Sequence, residues 1–178
     1  MLFRSIKNCQ AQKVIYHYNV LPIFVSDTVD LDIKKAKEAI ENIKSGNKDS
    51  VEVVDEILEL LNNNERVEFR PNIFWNMPFP FKEMPNTLLD DLNGDTVGLI
   101  IVKGDLNYRR LVEDRKWNVS KKINSRVNYF EKPILILRSL KSNTLLGVDR
   151  KKAKEYDLKQ PNWKIVGDYG MIQLINKK

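Results

Sequence analysis

Two short runs of apolar residues constrain the fold of this chain more than any other feature of its sequence. Val97 to Val102 and Ile134 to Leu137 contain no charged residue, and each is followed at once by charged residues. Apolar runs of this length are typical of strands that are buried on both faces of a parallel sheet. Gly170 to Ile175 could supply a last strand. Because helical patterns accompany these runs, the sequence predicts an α/β layered fold.

The first half of the chain carries the clearest helical patterns. Asp30 to Ser45 has isoleucine and alanine at helical spacing, with Gly46 just beyond its end. Ser50 to Leu61 is predicted to be a second helix, with Ser50 as its N-cap. The run of asparagines that follows ends this helix, and Val67 to Phe69 is predicted to be a short strand.

Two further segments of the first half are predicted to be non-helical. Val14 to Val20 is β-branched and aromatic and continues into the apolar Leu21 to Val25, which predicts one extended segment ending at Ser26-Asp27. Arg70 to Pro85 carries four prolines together with several aromatic residues. Prolines at this density prevent a long regular element, so we expect a packed loop whose aromatic residues cover a core edge.

Composition restricts the class of protein. The 178 residues, 42% of them hydrophobic, suit a single domain over residues 1–178 with a sizeable core. No apolar stretch approaches the ~18 residues of a membrane-spanning helix, and Met1 to Gln12 lacks the apolar segment of a signal peptide. The single cysteine, Cys9, suits a reducing compartment. We therefore expect a soluble, cytoplasmic protein with no membrane partner, of undetermined oligomeric state.

The net charge of +6 favours anionic partners. Charge alone does not distinguish nucleic acid from phosphorylated metabolites or a membrane surface, and a solvated lysine-rich surface is the simpler interpretation. The sequence lacks the signatures of RNA-recognition and helix-turn-helix modules. We therefore expect no nucleic-acid partner.

Three predicted strand ends share one design. Each apolar run is followed by a carboxylate, a cation or both, in the segments Ser26-Asp27, Lys103-Gly104-Asp105 and Arg138-Ser139-Leu140-Lys141. Ligands of open parallel sheets bind beyond the carboxyl ends of the strands. Carboxylates together with cations suit a hard divalent metal and an anionic phosphate. An aspartate at a strand end is also a common turn residue or helix cap, so the pattern alone is a weak indication.

The segment from Asp105 to Arg110 adds to this design. It follows Gly104, which allows a tight turn or the close approach of a ligand. Arg109 offers a planar fork that matches phosphate oxygens. The alternative is a helix N-cap followed by an exposed pair of arginines.

Several other chemistries are disfavoured. The chain has no P-loop, no G-x-G-x-x-G motif and no C-x-x-C pair. Its one histidine, His17, lies in an alternating apolar segment and is more simply explained as a packed residue than as a catalytic one. A Ser-His-Asp triad would have to use it.

At the level of whole motifs, the sequence resembles the metal-dependent damage-control phosphatases. The resemblance is carried, from about Val14 to Leu174 and in one order, by Phe24-Val25-Ser26-Asp27, Ile73-Phe74-Trp75, Met84-Pro85, Lys103 to Leu111, Asp114-Arg115-Lys116-Trp117, Arg138 to Lys141, Trp163 and Gly167 to Gly170. The nearer branch is the acidic-residue methyltransferase-like one, whose hallmark is Arg-Thr-x-Lys. This chain has Arg138-Ser139-Leu140-Lys141, in which serine keeps the hydroxyl group.

The resemblance implies a three-layer α/β/α, Rossmann-like fold with a mostly parallel sheet, and a divalent metal such as Mn²⁺, Ni²⁺, Co²⁺ or Mg²⁺. In that family an Asp-Asn pair and the aspartate of the first motif hold the metal, and Asp27 matches that aspartate. The pair lies upstream of the segment that matches Val14, whereas Met1 to Lys13 contains Asn8 but no aspartate. The chain therefore resembles a C-terminal portion of the fold, without its N-terminal helical part.

The resemblance also assigns roles to the other motifs. The substrate-binding residues that it implies are Asp105, Leu106, Asn107, Tyr108 and Arg109. Lys141, in the motif Arg138-Ser139-Leu140-Lys141, would bind phosphate. Asp27 and Asp105 are the expected catalytic residues, Asp27 as a metal ligand and Asp105 by orienting the substrate or assisting proton transfer. Whether water or a carboxylate attacks phosphorus is open.

The leading hypothesis is a metal-dependent phosphatase that hydrolyses small phosphometabolites, expected to be sugar phosphates such as fructose phosphates. The second is a catalytically silent fragment or pseudoenzyme that lacks the upstream Asp-Asn ligands. The third is carboxyl methyltransfer from S-adenosylmethionine, for which the chain shows no glycine-rich cofactor loop. A basic nucleic-acid-binding module ranks last.

Overall fold

The computed structural model describes residues 11–24, 27–46 and 51–176. The chain folds as two compact units, Met1–Met77 and Pro78–Lys178. Within the described residues, no helix is both long enough and apolar enough to cross a membrane. Cys9, Ser26 and Ser50, which the sequence analysis named, lie outside the described residues.

The first unit is a pair of parallel strands joined by two helices. Its elements are β1 (Val14–Tyr18), α1 (Asp30–Gly46), α2 (Val51–Asn62), β2 (Val67–Pro71) and a short 3₁₀ helix at Ile73–Asn76. The strands pair in register from Val14 opposite Val67 to Tyr18 opposite Pro71. Parallel pairing requires a crossover connection, which the two helices supply. Both predicted helices and the predicted short strand are confirmed.

The start of α1 shows why this segment is helical. The carboxylate of Asp32 accepts a hydrogen bond from the backbone N–H of Val29 (3.0 Å), which satisfies a donor at the helix start. Asp30 and Asp32 both lie in the first turn, where negative charge is favourable.

The predicted extended segment is too long. The strand ends at Tyr18, and the described residues from Asn19 to Phe24 form a loop. The loop is held by side chains that are distant in sequence, because the Asn76 carboxamide oxygen accepts from the N–H groups of Val20 (2.9 Å) and Leu21 (3.1 Å). These N–H groups are therefore unavailable to a sheet ladder, and Pro22 has none to donate.

The proline-rich segment contains no long regular element, as predicted. It forms two 3₁₀ helices, Ile73–Asn76 and Phe81–Glu83. The Asn72 side chain caps the first by accepting from the N–H of Phe74 (2.9 Å). Phe74 and Phe81 are buried, each in the core of its own unit.

The second unit is built on a three-stranded sheet. Its strands are β3 (Ile100–Lys103), β4 (Ile134–Ser139) and β5 (Gly170–Ile175), in the order β3-β4-β5. Its helices are α3 (Asn86–Asn93), α4 (Asp105–Leu111) and α5 (Arg150–Lys159), with 3₁₀ helices at Phe81–Glu83 and Ile123–Arg126. The predicted bounds of the last strand are confirmed.

The sheet of the second unit is mixed. Strands β3 and β4 are parallel, whereas β4 and β5 are antiparallel. Two of the three described strand pairs in the chain are thus parallel, and the α/β fold class is confirmed. The apolar runs are unequally buried on their two faces, since Ile134 and Ile136 are fully buried while Leu135 and Leu137 are half-buried.

A satellite core supports the loop that follows β4. Leu140 and Leu145 pack with Ala153 of α5 and with Trp163. Tyr156 and Tyr169 lie against this cluster, with ring centroids 5.3 Å apart. The loop after β4 therefore rests on buried aromatic and aliphatic side chains.

A glycine is required between β3 and α4. Gly104 has φ 101° and ψ 159°, a backbone conformation that is almost exclusive to glycine. A Cβ atom there would meet no heavy atom within 4 Å, so only the backbone opposes substitution. Gly104→Ala should therefore lower the free energy of unfolding by about 1–3 kcal/mol in urea denaturation.

The matched control is Gly98→Ala. Gly98 also has no heavy atom within 4 Å of a built Cβ, and its φ lies outside the strained positive range. Equal destabilisation by the two substitutions would contradict the backbone argument.

Candidate functional site

One residue makes the turn from β3 into α4. The strand ends at Lys103, the helix begins at Asp105, and the N–H of Gly104 donates to the carbonyl of Leu137 in β4 (2.8 Å). The turn is thereby attached to the neighbouring parallel strand. Asp105 consequently lies where the carboxyl ends of β3 and β4 meet, as the sequence predicted for these two strand ends.

The Asp105 carboxylate joins the two motif segments of the second unit. Its Oδ1 accepts from Nη2 of Arg138 (2.6 Å), from the backbone N–H of Lys141 (3.1 Å) and from Oγ of Ser142 (3.3 Å). One carboxylate oxygen thus holds the end of β4 and the start of the loop that follows it.

Arg138 is the buried partner of this carboxylate. Its side chain is fully buried, and its Nη1 donates to the carbonyl of Thr144 (2.7 Å). Its guanidinium carbon lies 4.0 Å from the centre of the Tyr108 ring, a cation–π contact. Tyr108 is fully buried, and its hydroxyl accepts from the N–H of Leu146 (3.0 Å). Burial raises the pKa of the Tyr108 phenol.

The other residues of the segment from Asp105 to Arg109 differ in exposure. Leu106 and Asn107 are half-buried, and the Asn107 carboxamide donates to the carbonyl of Lys103 (3.0 Å). Arg109 is partly exposed and forms a two-point ion pair with Asp114, with Nε–Oδ1 at 2.9 Å and Nη2–Oδ2 at 2.5 Å. This hydrogen-bonded pairing raises the pKa of Arg109.

The motif Arg138-Ser139-Leu140-Lys141 alternates between buried and exposed residues. Ser139 and Lys141 are exposed, whereas Leu140 is buried. The N–H of Leu140 donates to the carbonyl of Tyr169 (2.8 Å), and its carbonyl accepts from the N–H of Gly167 (2.9 Å). The segment Gly167 to Gly170 is therefore hydrogen-bonded directly to the motif that carries Lys141.

Asp27 belongs to the first unit, where its carboxylate closes the loop after β1. Its Oδ2 accepts from the N–H groups of Ile23 (3.2 Å) and Phe24 (2.9 Å). Asp27 is thus a turn residue by its observed contacts. The prediction that Asp27 lies at the end of a strand is wrong, because β1 ends nine residues earlier, at Tyr18.

Within residues 11–24, 27–46 and 51–176, no three histidine, cysteine, aspartate or glutamate side chains cluster closely enough to hold a metal ion. Asp27 offers carboxylate oxygen, the donor that hard divalent cations prefer. The described residues therefore fit one ligand of the implied metal and do not form a complete ligand set.

Three residues of this network carry no signal in the sequence. Ser142 and Thr144 lie one and three residues after Lys141, and Asp114 lies in the family segment Asp114-Arg115-Lys116-Trp117. The Thr144 hydroxyl donates to Oδ1 of Asp114 (2.7 Å), and the Thr144 carbonyl accepts from Arg138. Their roles depend on contacts over about thirty residues of chain, which no local pattern encodes.

Removing one partner of the Arg138–Asp105 ion pair should strongly destabilise the second unit. Arg138→Ala leaves a largely buried carboxylate without its partner, which typically destabilises by about 3–5 kcal/mol. Lys141→Ala is the control, because its exposed side chain is lost while its backbone N–H still reaches Asp105. It should change the free energy of unfolding by less than about 0.5 kcal/mol. Similar losses in urea denaturation of the two variants would contradict this account.

Asp114 should make stability pH-dependent. Hydrogen bonds from Arg109 and Thr144 hold its pKa below the ordinary value. The ionised carboxylate therefore stabilises the folded state above the unfolded pKa of about 3.9, and this stabilisation is lost as the pH falls through the lowered pKa. The stability advantage of the native protein over Asp114→Asn should narrow as the pH is reduced from about 6 to 3. A difference that is constant across this range would argue against an ion-pairing role.

Comparison with known proteins identifies a family for most of the chain. Residues 1–156 match the damage-control phosphatase ARMT1-like domain. Damage-control phosphatase ARMT1 of Mus musculus is 30% identical over 166 residues, which cover 92% of this chain and 37% of that protein. The Homo sapiens protein of the same name is 30% identical with the same coverage, and that of Danio rerio is 27% identical over 167 residues. The chain thus spans a little over a third of the length of these curated relatives. It belongs to the damage-control phosphatase ARMT1-like domain family.

Proposed function

We propose that this chain carries the phosphate-binding part of a metal-dependent phosphatase that hydrolyses small phosphometabolites. Sugar phosphates, such as fructose phosphates, are the proposed substrates. The observation that carries the proposal is the shared contact of Asp105 with Arg138 and Lys141. It places the two family motifs side by side at the carboxyl ends of β3 and β4.

Two cations are proposed to bind the phosphate group. Lys141 has an exposed side chain, and no described residue pairs with its ammonium group. The Nη1 group of Arg109 has no hydrogen-bond partner among the described residues, since Asp114 occupies Nε and Nη2. Both side chains thus retain donors for phosphate oxygens, and hydrogen bonds of this charged kind are strong and short.

Asp105 is proposed to orient the substrate or assist proton transfer through its second oxygen. Three donors occupy Oδ1, whereas Oδ2 has no hydrogen-bond partner among the described residues. Anchoring through one oxygen fixes the orientation of the carboxylate and leaves the other available to a ligand.

The buried motif residues are proposed to support the site by packing, without contacting the substrate. Tyr108 packs against the Arg138 guanidinium, and Leu140 anchors the loop that bears Lys141. Leu106 and Asn107 are half-buried and would shape the rim of the site. The exposed Ser139 hydroxyl is available as a further donor.

The metal part of the proposal rests on the family resemblance. Asp27 is proposed as one ligand of a divalent cation, with Mn²⁺, Ni²⁺, Co²⁺ and Mg²⁺ as the candidates. A hard cation of this kind prefers oxygen ligands and takes six or more of them, including water and phosphate oxygens. In this proposal Asp27 would supply one of these ligands, and the cation would polarise the phosphoryl group.

Phosphate release from a panel of sugar phosphates tests the proposal. Lys141→Ala should lower release by roughly tenfold or more, because a charge-assisted hydrogen bond to phosphate contributes about 1.5–3 kcal/mol. Lys154→Ala is the control, since this exposed lysine lies on α5, away from both motifs in sequence. Equal rates for Lys141→Ala and the unmodified chain would reject the phosphate-binding role of Lys141.

Metal dependence is tested in the same assay with each of the four cations and with EDTA. Asp27→Asn is the variant of choice, because its carboxamide oxygen can still accept from the N–H groups of Ile23 and Phe24. Release that requires a cation and is strongly reduced in this variant supports Asp27 as a ligand. No release from a well-folded sample under any of these conditions supports the silent-fragment alternative.

A further inference from the structure

Asp114 lies beside Arg109 and has no role in the phosphate binding proposed for this chain. It contributes no group to the substrate in the proposed function, yet it makes the two-point pair with Arg109. The carboxylate takes the edge of the guanidinium formed by Nε and Nη2. A planar guanidinium can bind two anions along different edges, and this pairing leaves Nη1 without a hydrogen-bond partner among the described residues.

Asp114 is itself held in place by the surrounding chain. Its N–H donates to the carbonyl of Arg109 (2.7 Å), and its Oδ1 accepts from the Thr144 hydroxyl (2.7 Å). Its φ of 36° lies in the left-handed region, which aspartate and asparagine tolerate better than most residues. The residue before it, Glu113, also has a positive φ, 72°.

Thr144 connects this pair to the buried part of the site. The Thr144 side chain is bound to Asp114, and its carbonyl accepts from Nη1 of Arg138 (2.7 Å). Arg138 in turn binds Asp105 (2.6 Å). A continuous chain of hydrogen bonds therefore runs from the buried ion pair to the partly exposed Arg109.

We propose that Asp114 is a positioning residue, which holds the Arg109 guanidinium in the orientation that binds a phosphate oxygen. The inference rests on the proposed function, in which Arg109 binds the phosphate group. Asp114 has no contact with the substrate in this role. It acts by restricting a long, flexible side chain before the ligand arrives, which lowers the entropy lost on binding.

This role makes a prediction opposite in sign to that of simple electrostatics. A carboxylate next to Arg109 repels an anion, so removing its charge should tighten phosphate binding if charge alone mattered. If the carboxylate instead positions Arg109, removing it should weaken phosphate binding. The sign of the change therefore separates the two effects.

Isothermal titration calorimetry with inorganic phosphate on the full chain provides the test. Asp114→Asn is the variant, because asparagine keeps the left-handed backbone while its carboxamide nitrogen cannot accept from Arg109. We expect Kd to rise about tenfold in D114N and in R109A. In the R109A background, D114N should produce no further weakening, because the side chain that Asp114 positions is gone.

Each other outcome has a distinct meaning. If the unmodified chain does not bind phosphate, or R109A binds as tightly, the assignment of Arg109 in the proposed function fails and this inference fails with it. If R109A weakens binding while D114N leaves it unchanged or tightens it, Arg109 keeps its role and the positioning role of Asp114 is overturned.

Thr144 gives a second, independent pair of variants. Thr144→Val removes the hydroxyl that fixes Asp114, whereas Thr144→Ser keeps it, and both keep the carbonyl that binds Arg138. The Kd for phosphate should rise about threefold to fivefold in T144V, and in T144S it should equal that of the native protein. Equal affinities of folded T144V and T144S would overturn the proposal even if D114N failed to fold.

Discussion

The contact between Arg138 and Asp105 underlies the arrangement of the second unit. A fully buried guanidinium is strongly unfavourable unless a carboxylate and further acceptors surround it. Asp105 supplies the charge, and the Thr144 carbonyl and the Ser142 hydroxyl accept further hydrogen bonds from the two terminal nitrogens. Meeting this requirement draws the end of β4, the loop after it and the start of α4 to one point. The two family motifs meet there for that reason.

The site combines a rigid interior with a few exposed groups. Arg138 and Tyr108 are buried and hold each other through the cation–π contact, whereas Lys141 and Arg109 reach solvent. The buried groups hold the backbone from which Lys141 and Arg109 extend, and these two cations are the groups that we propose to bind phosphate. In that proposal the buried motif residues would act only by supporting the exposed ones.

The sequence predicted the parts of the fold that depend on local pattern. Helical spacing located both helices of the first unit, and the suggested last strand, Gly170 to Ile175, has the bounds of β5. Patterns could not show that β5 runs antiparallel, or that the distant Asn76 side chain ends the first extended segment early. The burial of Arg138 could not be predicted either, because an arginine near the end of a strand ordinarily faces solvent. Such features arise from contacts between segments far apart in the chain.

The most direct test of this account is a titration with inorganic phosphate followed by NMR of the backbone amides and of the arginine and lysine side chains. Because Asp105 joins the two motifs at one point, the account predicts that phosphate shifts the signals of residues 103–109 and 138–142 together, with a single affinity. Shifts confined to other parts of the chain, or different affinities for the two segments, would contradict a shared phosphate site.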